Sequence, residues 1–137
     1  MEILQLHHVS LPTVDLEQSR RFYREVLGLE EIQRPPFPFP GAWFRLGDRE
    51  LHLIAGENVD AQGGTGTDAN QLHFAIRVPS FKQAREHLVG LGYREDVDGG
   101  DPMHLLARPR ALTGYPQLYV TDPDRHLIEI NAVALDE

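Results

Sequence analysis

The chain writes the same passage twice, and this repeat narrows the possible folds more than any other feature. The stretch QLHHVSLPTVDLEQSRRFY, starting at Gln5, has the same build as NQLHFAIRVPSFKQAREHL, starting at Asn70. Each runs Gln-Leu-His, then a short apolar run, then a capped helix. With His8 aligned to His73, Asp15 falls on Ser80 and Gln18 on Gln83. Both copies therefore read as a helix N-cap with a Gln three residues later, a capping-box pattern. The first helix carries Leu16, Ser19, Phe22, Tyr23, Val26 and Leu27 at helical spacing and stops at Gly28. The second carries Phe81, Ala84, Leu88 and Leu91 and stops at Gly92.

Strand-like segments follow each helix: AWFRLG and ELHLIA in the first half, PQLYVTD and HLIEINA in the second. Each half reads strand, helix, strand, strand, strand, with one strand of each set unplaced by pattern. The expected fold is α+β, one domain over residues 1–137 built from two βαβββ modules. Module one spans about 1–57, a glycine-rich linker about 58–69, and module two about 70–137. The last strands correspond as well, LHL at Leu51 to Leu53 with IEI at Ile128 to Ile130, which makes His52 the twin of Glu129. The second half is longer between its first histidine and that twin. The added length falls in REDVDGGDPMHLLARPRALTG, a loop rich in Gly, Pro and charge.

Side chains alternate across a strand. In the first strand Val9 and Leu11 share one face, His8 and Ser10 the other. After the linker, Leu72, Phe74, Ile76 and Val78 oppose His73, Ala75 and Arg77. Leu51 and Leu53 oppose Glu50, His52 and Ile54; Ile128 and Ile130 oppose Leu127, Glu129 and Asn131. Four times, one face is apolar and suited to bury a helix, while the other carries a ligand-type side chain near mid-strand. This predicts a curved mixed sheet with helices outside and a pocket inside, into which His8, His52, His73 and Glu129 project.

Taken singly, a strand histidine is more often a hydrogen-bonded core or surface residue than a ligand. His7, His87, His104 and His126 keep that reading, with His7 and His126 on the helix-facing side. Co-occurrence at equivalent positions of a repeat makes His8, His73 and Glu129 a candidate metal site. His52 is either a fourth ligand or part of the pocket wall. Imidazole and carboxylate together suit a divalent first-row ion: zinc, nickel, cobalt, manganese or iron. Such an ion polarises a carbonyl, or stabilises an enolate or a bound hydroxide.

Totals exclude several alternatives. The net charge of −8 disfavours nucleic acid, and the basic run at Arg108 to Arg110 reads as a solvated loop. Without cysteine there is no disulfide, thiolate nucleophile or thiolate metal site. No apolar run reaches membrane-spanning length, and the N-terminus lacks a signal-peptide layout, so no membrane partner and a cytoplasmic location are expected.

The segments LHHVSLPTVDLEQSRRFYREVLGLE, LHLIAGE, NQLHFAIRVPS and YVTDPDRHLIEIN resemble the vicinal oxygen chelate superfamily, which includes glyoxalase I, extradiol dioxygenases, and fosfomycin and bleomycin resistance proteins. The resemblance implies a metal held at His8, His73 and Glu129, often with a fourth ligand at His52. It also implies a homodimer and a small-molecule substrate. By the same resemblance Glu129 would move a substrate proton, as in glyoxalase I. The first expectation is thus a glyoxalase-type lyase or isomerase acting on vicinal oxygens. The alternatives are an iron-dependent extradiol-type dioxygenase, with Tyr115, Tyr119 or His104 available as base, and a non-catalytic binding or drug-resistance protein.

Departures from the family pattern weigh on substrate. Glyoxalase I usually has glutamate at the His52 position, and an arginine that helps bind glutathione where this chain has Pro12. Ser10 matches a hydroxyl residue of fosfomycin-modifying members, but the chain ends at Glu137, ahead of their phosphonate-binding arginine. Pro35, Pro36, Pro38 and Pro40 make a stiff rim bearing Phe37 and Phe39. Trp43 and Arg45 follow on one strand face. The expected pocket wall comprises Ser10 and Trp43, with Arg45 or Arg77 meeting an anionic end of the substrate.

Overall fold

Two units make up the chain, Met1–Ala61 and Gln62–Glu137, and a computed structural model describes residues 1–56 and 63–136 of it. Part of the expected linker, residues 58–62, lies outside the described residues. Residues 63 and 64 belong to the second unit, where the Gly63 and Gly64 amides donate to Asp124 and Arg125 carbonyls at 3.1 and 2.9 Å. A Cβ on Gly63 would come within 2.4 Å of the Arg125 backbone, so that close approach requires glycine.

The first unit contains β1 (His8–Pro12), α1 (Leu16–Arg21), a π-helical continuation (Phe22–Val26), β2 (Glu31–Ile32), β3 (Gly41–Leu46) and β4 (Arg49–Ile54). Its sheet order is β1-β4-β3-β2, with β1 and β4 parallel and the other pairs antiparallel. Parallel neighbours need a crossover, and the helix lies in the connection between them. Asp15 starts α1 as its sequence position predicts, its Oδ1 accepting from the Gln18 amide at 3.1 Å. The helix does not stay α throughout. From Phe22 it widens, and the Leu27 amide reaches back to the Phe22 carbonyl at 3.3 Å. Tyr23, Phe44, Leu51 and Leu53 form the buried centre of this unit. Each such side chain contributes about 1.5–3 kcal/mol on leaving water. His7 precedes β1 and is exposed, so the expectation that it faces the helix is not met.

The second unit repeats the order: β5 (His73–Ser80), α2 (Phe81–Gly90), β6 (Leu106–Arg108), β7 (Gln117–Thr121) and β8 (Leu127–Ala134). Its sheet order, β5-β8-β7-β6, has the parallel pair in the same place. Ser80 caps α2, accepting from the Gln83 amide at 3.0 Å. Its hydroxyl donates in turn to Asp136, which also accepts the Lys82 amide at 3.0 Å and so ties the end of the chain to the helix start. Leu88, Leu105, Leu118, Val120, Leu127 and Ile128 fill the centre. The added length of this module lies between α2 and β6, in the first part of the expected loop, whose later part is not loop throughout but contains β6. It is stitched by Arg94, whose amide meets the Met103 carbonyl and whose carbonyl meets the Leu105 amide, both at 2.9 Å. Each module is βαβββ. The strands that pattern left unplaced are β2 and β6, the short outer ones.

Strand register makes the repeat concrete. His8 pairs with Glu50 and Ser10 with His52; His73 pairs with Leu127 and Ala75 with Glu129. His52 and Glu129 therefore stand at the same place relative to the first histidine of their modules. Across the antiparallel pairs, Trp43 lies opposite His52 and Tyr119 opposite Glu129.

Candidate metal centre

In the first unit the ligand candidates stand on one sheet face. The His52 ring is sandwiched: Trp43 stacks on it at 3.9 Å between centroids and 4° between planes, and His8 at 4.2 Å and 19°. Its Nε2 lies 2.9 Å from Glu50 Oε1. His52 is only 8% exposed, whereas His8 at the strand start is exposed. Burial lowers the His8 pKa, and the neighbouring imidazoles of His52 and His7 lower it further against the pull of Glu50. The neutral form, which can ligate a metal, is thereby favoured. The hydrogen bond with His52 holds the Glu50 carboxyl below its ordinary range.

The proline-rich segment continues this row of rings. Phe37 lies 6.2 Å from Trp43 and 5.2 Å from Phe39. The Arg34 guanidinium sits 4.9 Å from both phenyl centroids and donates to the Phe39 carbonyl at 2.8 Å. Ser10 is exposed beside His52. Arg45 is exposed and pairs with Glu30 at 3.2 Å, an exposed contact of small energetic value.

In the second unit β8 places Glu129 at the buried centre of a polar cluster, 6% exposed. Its Oε1 accepts from Gln117 Nε2 at 2.9 Å and from Asn131 Nδ2 at 3.0 Å. Its Oε2 accepts from the Tyr119 hydroxyl at 3.3 Å and lies 3.3 Å from His73 Nε2. His73 Nδ1 donates to the Gln71 carbonyl at 2.7 Å, which leaves Nε2 as the ligating nitrogen. Burial alone would raise the Glu129 pKa. Hydrogen bonds from Asn131, Gln117 and Tyr119, with the field of His73, outweigh it and hold the pKa below the ordinary value. Oε1 is thus engaged by two amides, while Oε2 is shared between the Tyr119 hydroxyl and the His73 imidazole nitrogen, and the imidazole–carboxylate pair suits a divalent ion.

Arg77 is not free for a substrate: its Nε donates to Asn131 Oδ1 at 2.7 Å and its guanidinium lies 4.8 Å over Tyr115. The residues considered as a dioxygenase base also have other partners. Burial, then the charge of Glu129, raises the Tyr119 pKa, so this hydroxyl stays protonated and donates. His104 Nδ1 pairs with the Thr67 hydroxyl. The Arg108–Arg110 run is exposed as expected, with Arg108 at the end of β6. Arg108 lies 5.8 Å over Tyr119, and both arginines line a cavity of about 550 Å³ that also touches Gln117.

Three neighbours of the candidate ligands lie outside the set that the sequence pattern points to: Glu50, Gln117 and Asn131. Alternation does place Glu50 on the His52 face and Asn131 on the Glu129 face. Gln117 becomes visible only through its pairing with Asn131. Among the described residues, the three ligand-type side chains whose atoms all lie within 4.8 Å of one another are Asp122, Asp124 and His126. Asp122 Oδ1 accepts the amides of Asp124 and His126 at 2.9 and 2.8 Å, stapling a turn in which Arg125 has φ 67°.

A sequence model of the Glyoxalase/Bleomycin resistance protein/Dioxygenase superfamily matches residues 5–130. Glyoxylase I 4 of Arabidopsis thaliana is 27% identical over 132 residues, covering 95% of this chain and 71% of that protein. The fosfomycin resistance protein FosX of Listeria monocytogenes is 27% identical over 135 residues, covering 96% of this chain and 92% of that protein. A crystal structure of a point mutant of that FosX holds Mn(II) and 1S,2S-dihydroxypropylphosphonic acid; its TM-score is 0.70 at 21% identity, covering 96% of this chain and 93% of that one. A Bacillus anthracis protein described as of the glyoxalase family superposes with a TM-score of 0.73 at 24% identity, covering 96% of this chain and 97% of that one. Among the described residues no helix is long and apolar enough to cross a membrane.

Proposed function

The chain belongs to the Glyoxalase/Bleomycin resistance protein/Dioxygenase superfamily, and on that premise we propose that it is a metal-dependent lyase or isomerase of glyoxalase type, acting on a small molecule with adjacent oxygens. The ligands are His8, His73 and Glu129, with His52 as a fourth. The observation that carries this reading is the His73–Glu129 pair. His73 Nδ1 and Glu129 Oε1 are spent on fixed partners, while Nε2 and Oε2 are directed together at 3.3 Å, with the Tyr119 hydroxyl as the other neighbour of Oε2. A bound divalent ion supplies Lewis-acid polarisation of the substrate oxygens and acidifies the carbon beside them.

With the ion held by the histidines, Glu129 would loosen from it, take the carbon proton on Oε2 and return it to the neighbouring carbon, while the hydroxyl proton passes from the second oxygen to the first. Gln117 and Asn131 keep the carboxylate aimed by holding Oε1 throughout. They also lower its basicity, so the substrate must be acidified for the transfer to run. Trp43 and Phe37 form an apolar wall beside His52. Arg108 and Arg110, on the cavity that touches Gln117, suit an anionic end of the substrate better than Arg77, which Asn131 engages.

The test is elemental analysis of protein purified without tag or chelator, beside Glu129→Ala, followed by turnover in D2O. About one divalent ion per chain, lost in the variant, and solvent deuterium in the product of an isomerisation support the reading. Oxygen-labile ferrous iron with dioxygen consumption would replace it with ring cleavage. Failure to take up any metal would leave a binding protein.

A further inference from the structure

We propose that Glu50 is the positioning residue that makes His52 a metal ligand through Nδ1; this rests on the metal centre proposed above. A neutral imidazole carries one N–H, and a carboxylate can only accept. With Nε2 at 2.9 Å from Glu50 Oε1, the proton sits on Nε2 and the lone pair is left on Nδ1. The ring plane is set independently. Trp43 covers one face and His8 the other, so tilting the ring away from Glu50 would break two stacks at once. The backbone beneath is equally fixed, because β4 is paired on both sides, to β1 and to β3.

The two modules differ here in a way that follows the ligand chemistry. The position equivalent to Glu50 in module two is Leu127, since His8 pairs with the one and His73 with the other. There the ligand is an anion, and its neighbours Gln117 and Asn131 are donors. In module one the ligand at the twin position is an imidazole, and its neighbour is an acceptor. A carboxylate in the Glu50 position would have no use beside a carboxylate ligand; beside a histidine it selects the tautomer and ring orientation that ligation needs.

Two measurements test this. Long-range 1H–15N spectra of the metal-free protein above pH 7.5 should show His52 as the Nε2–H tautomer. Glu50→Ala should show a mixture of tautomers, and Glu50→Gln, which keeps an oxygen acceptor, should restore the single form. Competition for Co(II) against a chromophoric chelator should show Glu50→Ala binding about 10–100-fold more weakly at unchanged stoichiometry. Glu50→Gln should recover most of that loss, and the exposed control Glu86→Gln should match the wild type.

An Nδ1–H tautomer in the wild type, or a Glu50→Ala variant with unchanged tautomer and affinity, overturns the proposal. So does loss of the ion in Glu50→Ala with retention in His52→Ala, since Glu50 would then be the ligand. If Glu129→Ala releases the ion while both Glu50 variants bind as the wild type does, the metal centre stands and this proposal alone falls. If the wild type binds no ion, both fall together.

Discussion

Replacing Gln117 by Leu removes one donor from a buried anion and leaves the chain's shape nearly intact. Glu129 is 6% exposed, and Gln117 supplies one of the two amides on its Oε1, at 2.9 Å. A hydrogen bond to a charged group is worth about 1.5–3 kcal/mol, and one between neutral groups about 0.5–1.5 kcal/mol. The variant should therefore be about 1.5–3 kcal/mol less stable near pH 7, where Glu129 is ionised. The sign of the pH dependence follows from the lowered pKa. Burial opposes ionisation, but Asn131, Gln117, Tyr119 and His73 together outweigh it. A carboxyl with a depressed folded pKa stabilises the fold above its unfolded value, near 4.5, and loses that contribution as pH falls through the folded value. The gap between wild type and variant should thus be largest above about pH 5.5. It should narrow to about 1 kcal/mol once Glu129 is protonated in both. Urea unfolding at several pH values, with EDTA present to remove any binding contribution, reads the gap directly. A gap that is the same at all pH values, or absent at neutral pH, would refute the claim that Gln117 stabilises an ionised Glu129.

Three further outcomes are expected. Gly41→Ala should destabilise the first unit by about 1–3 kcal/mol in thermal unfolding, because the new methyl would meet the Leu53 carbonyl at 2.4 Å and Arg34 Nε at 2.9 Å. Ser80→Ala should cost about 1 kcal/mol by removing the α2 cap, and it also takes a donor from Asp136; proteolysis near the C-terminus should speed up with it. Metal affinity, measured by competition titration, should fall below about pH 6 as the imidazole ligands take up protons; affinity unchanged from about pH 8 to about pH 5 would exclude histidine ligation.

The parts of the fold legible in the sequence are those carried by local chemistry. Asp15 and Ser80 announce helix starts because an N-cap is a short-range bond to the residue three positions on. Gly28 and Gly92, with φ of 69° and 100°, announce the ends because few other residues tolerate that backbone. Alternation along β4 and β8 separates His52 and Glu129 from their apolar neighbours. β2 escapes detection because Glu31–Ile32 is too short to show a period, and it exists only by pairing with Trp43 and Phe44. Register between distant strands decides the rest. The Trp43–His52 stack, the Gln117 contact with Glu129 and the Arg77 bond to Asn131 join residues whose separation along the chain carries no signal. Arg77 is the instructive case. Its type suggests an anion site, and only the pairing of β5 with β8 reveals that it holds an amide in place.

The widened turn at Phe22–Val26 bears on how the two halves came to differ. Measured from cap to cap, Asp15 to Leu27 and Ser80 to Leu91, the first helix holds one residue more than the second. A π turn is the form in which a helix absorbs a single inserted residue without displacing either end. If both modules descend from one ancestral half, the one-residue difference arose after duplication, and the first helix accommodates its extra residue as a bulge between strands that keep the same order in both copies. Deleting one residue within Phe22–Val26 should then return that helix to the α form of its counterpart while leaving His8 and His52 where they stand.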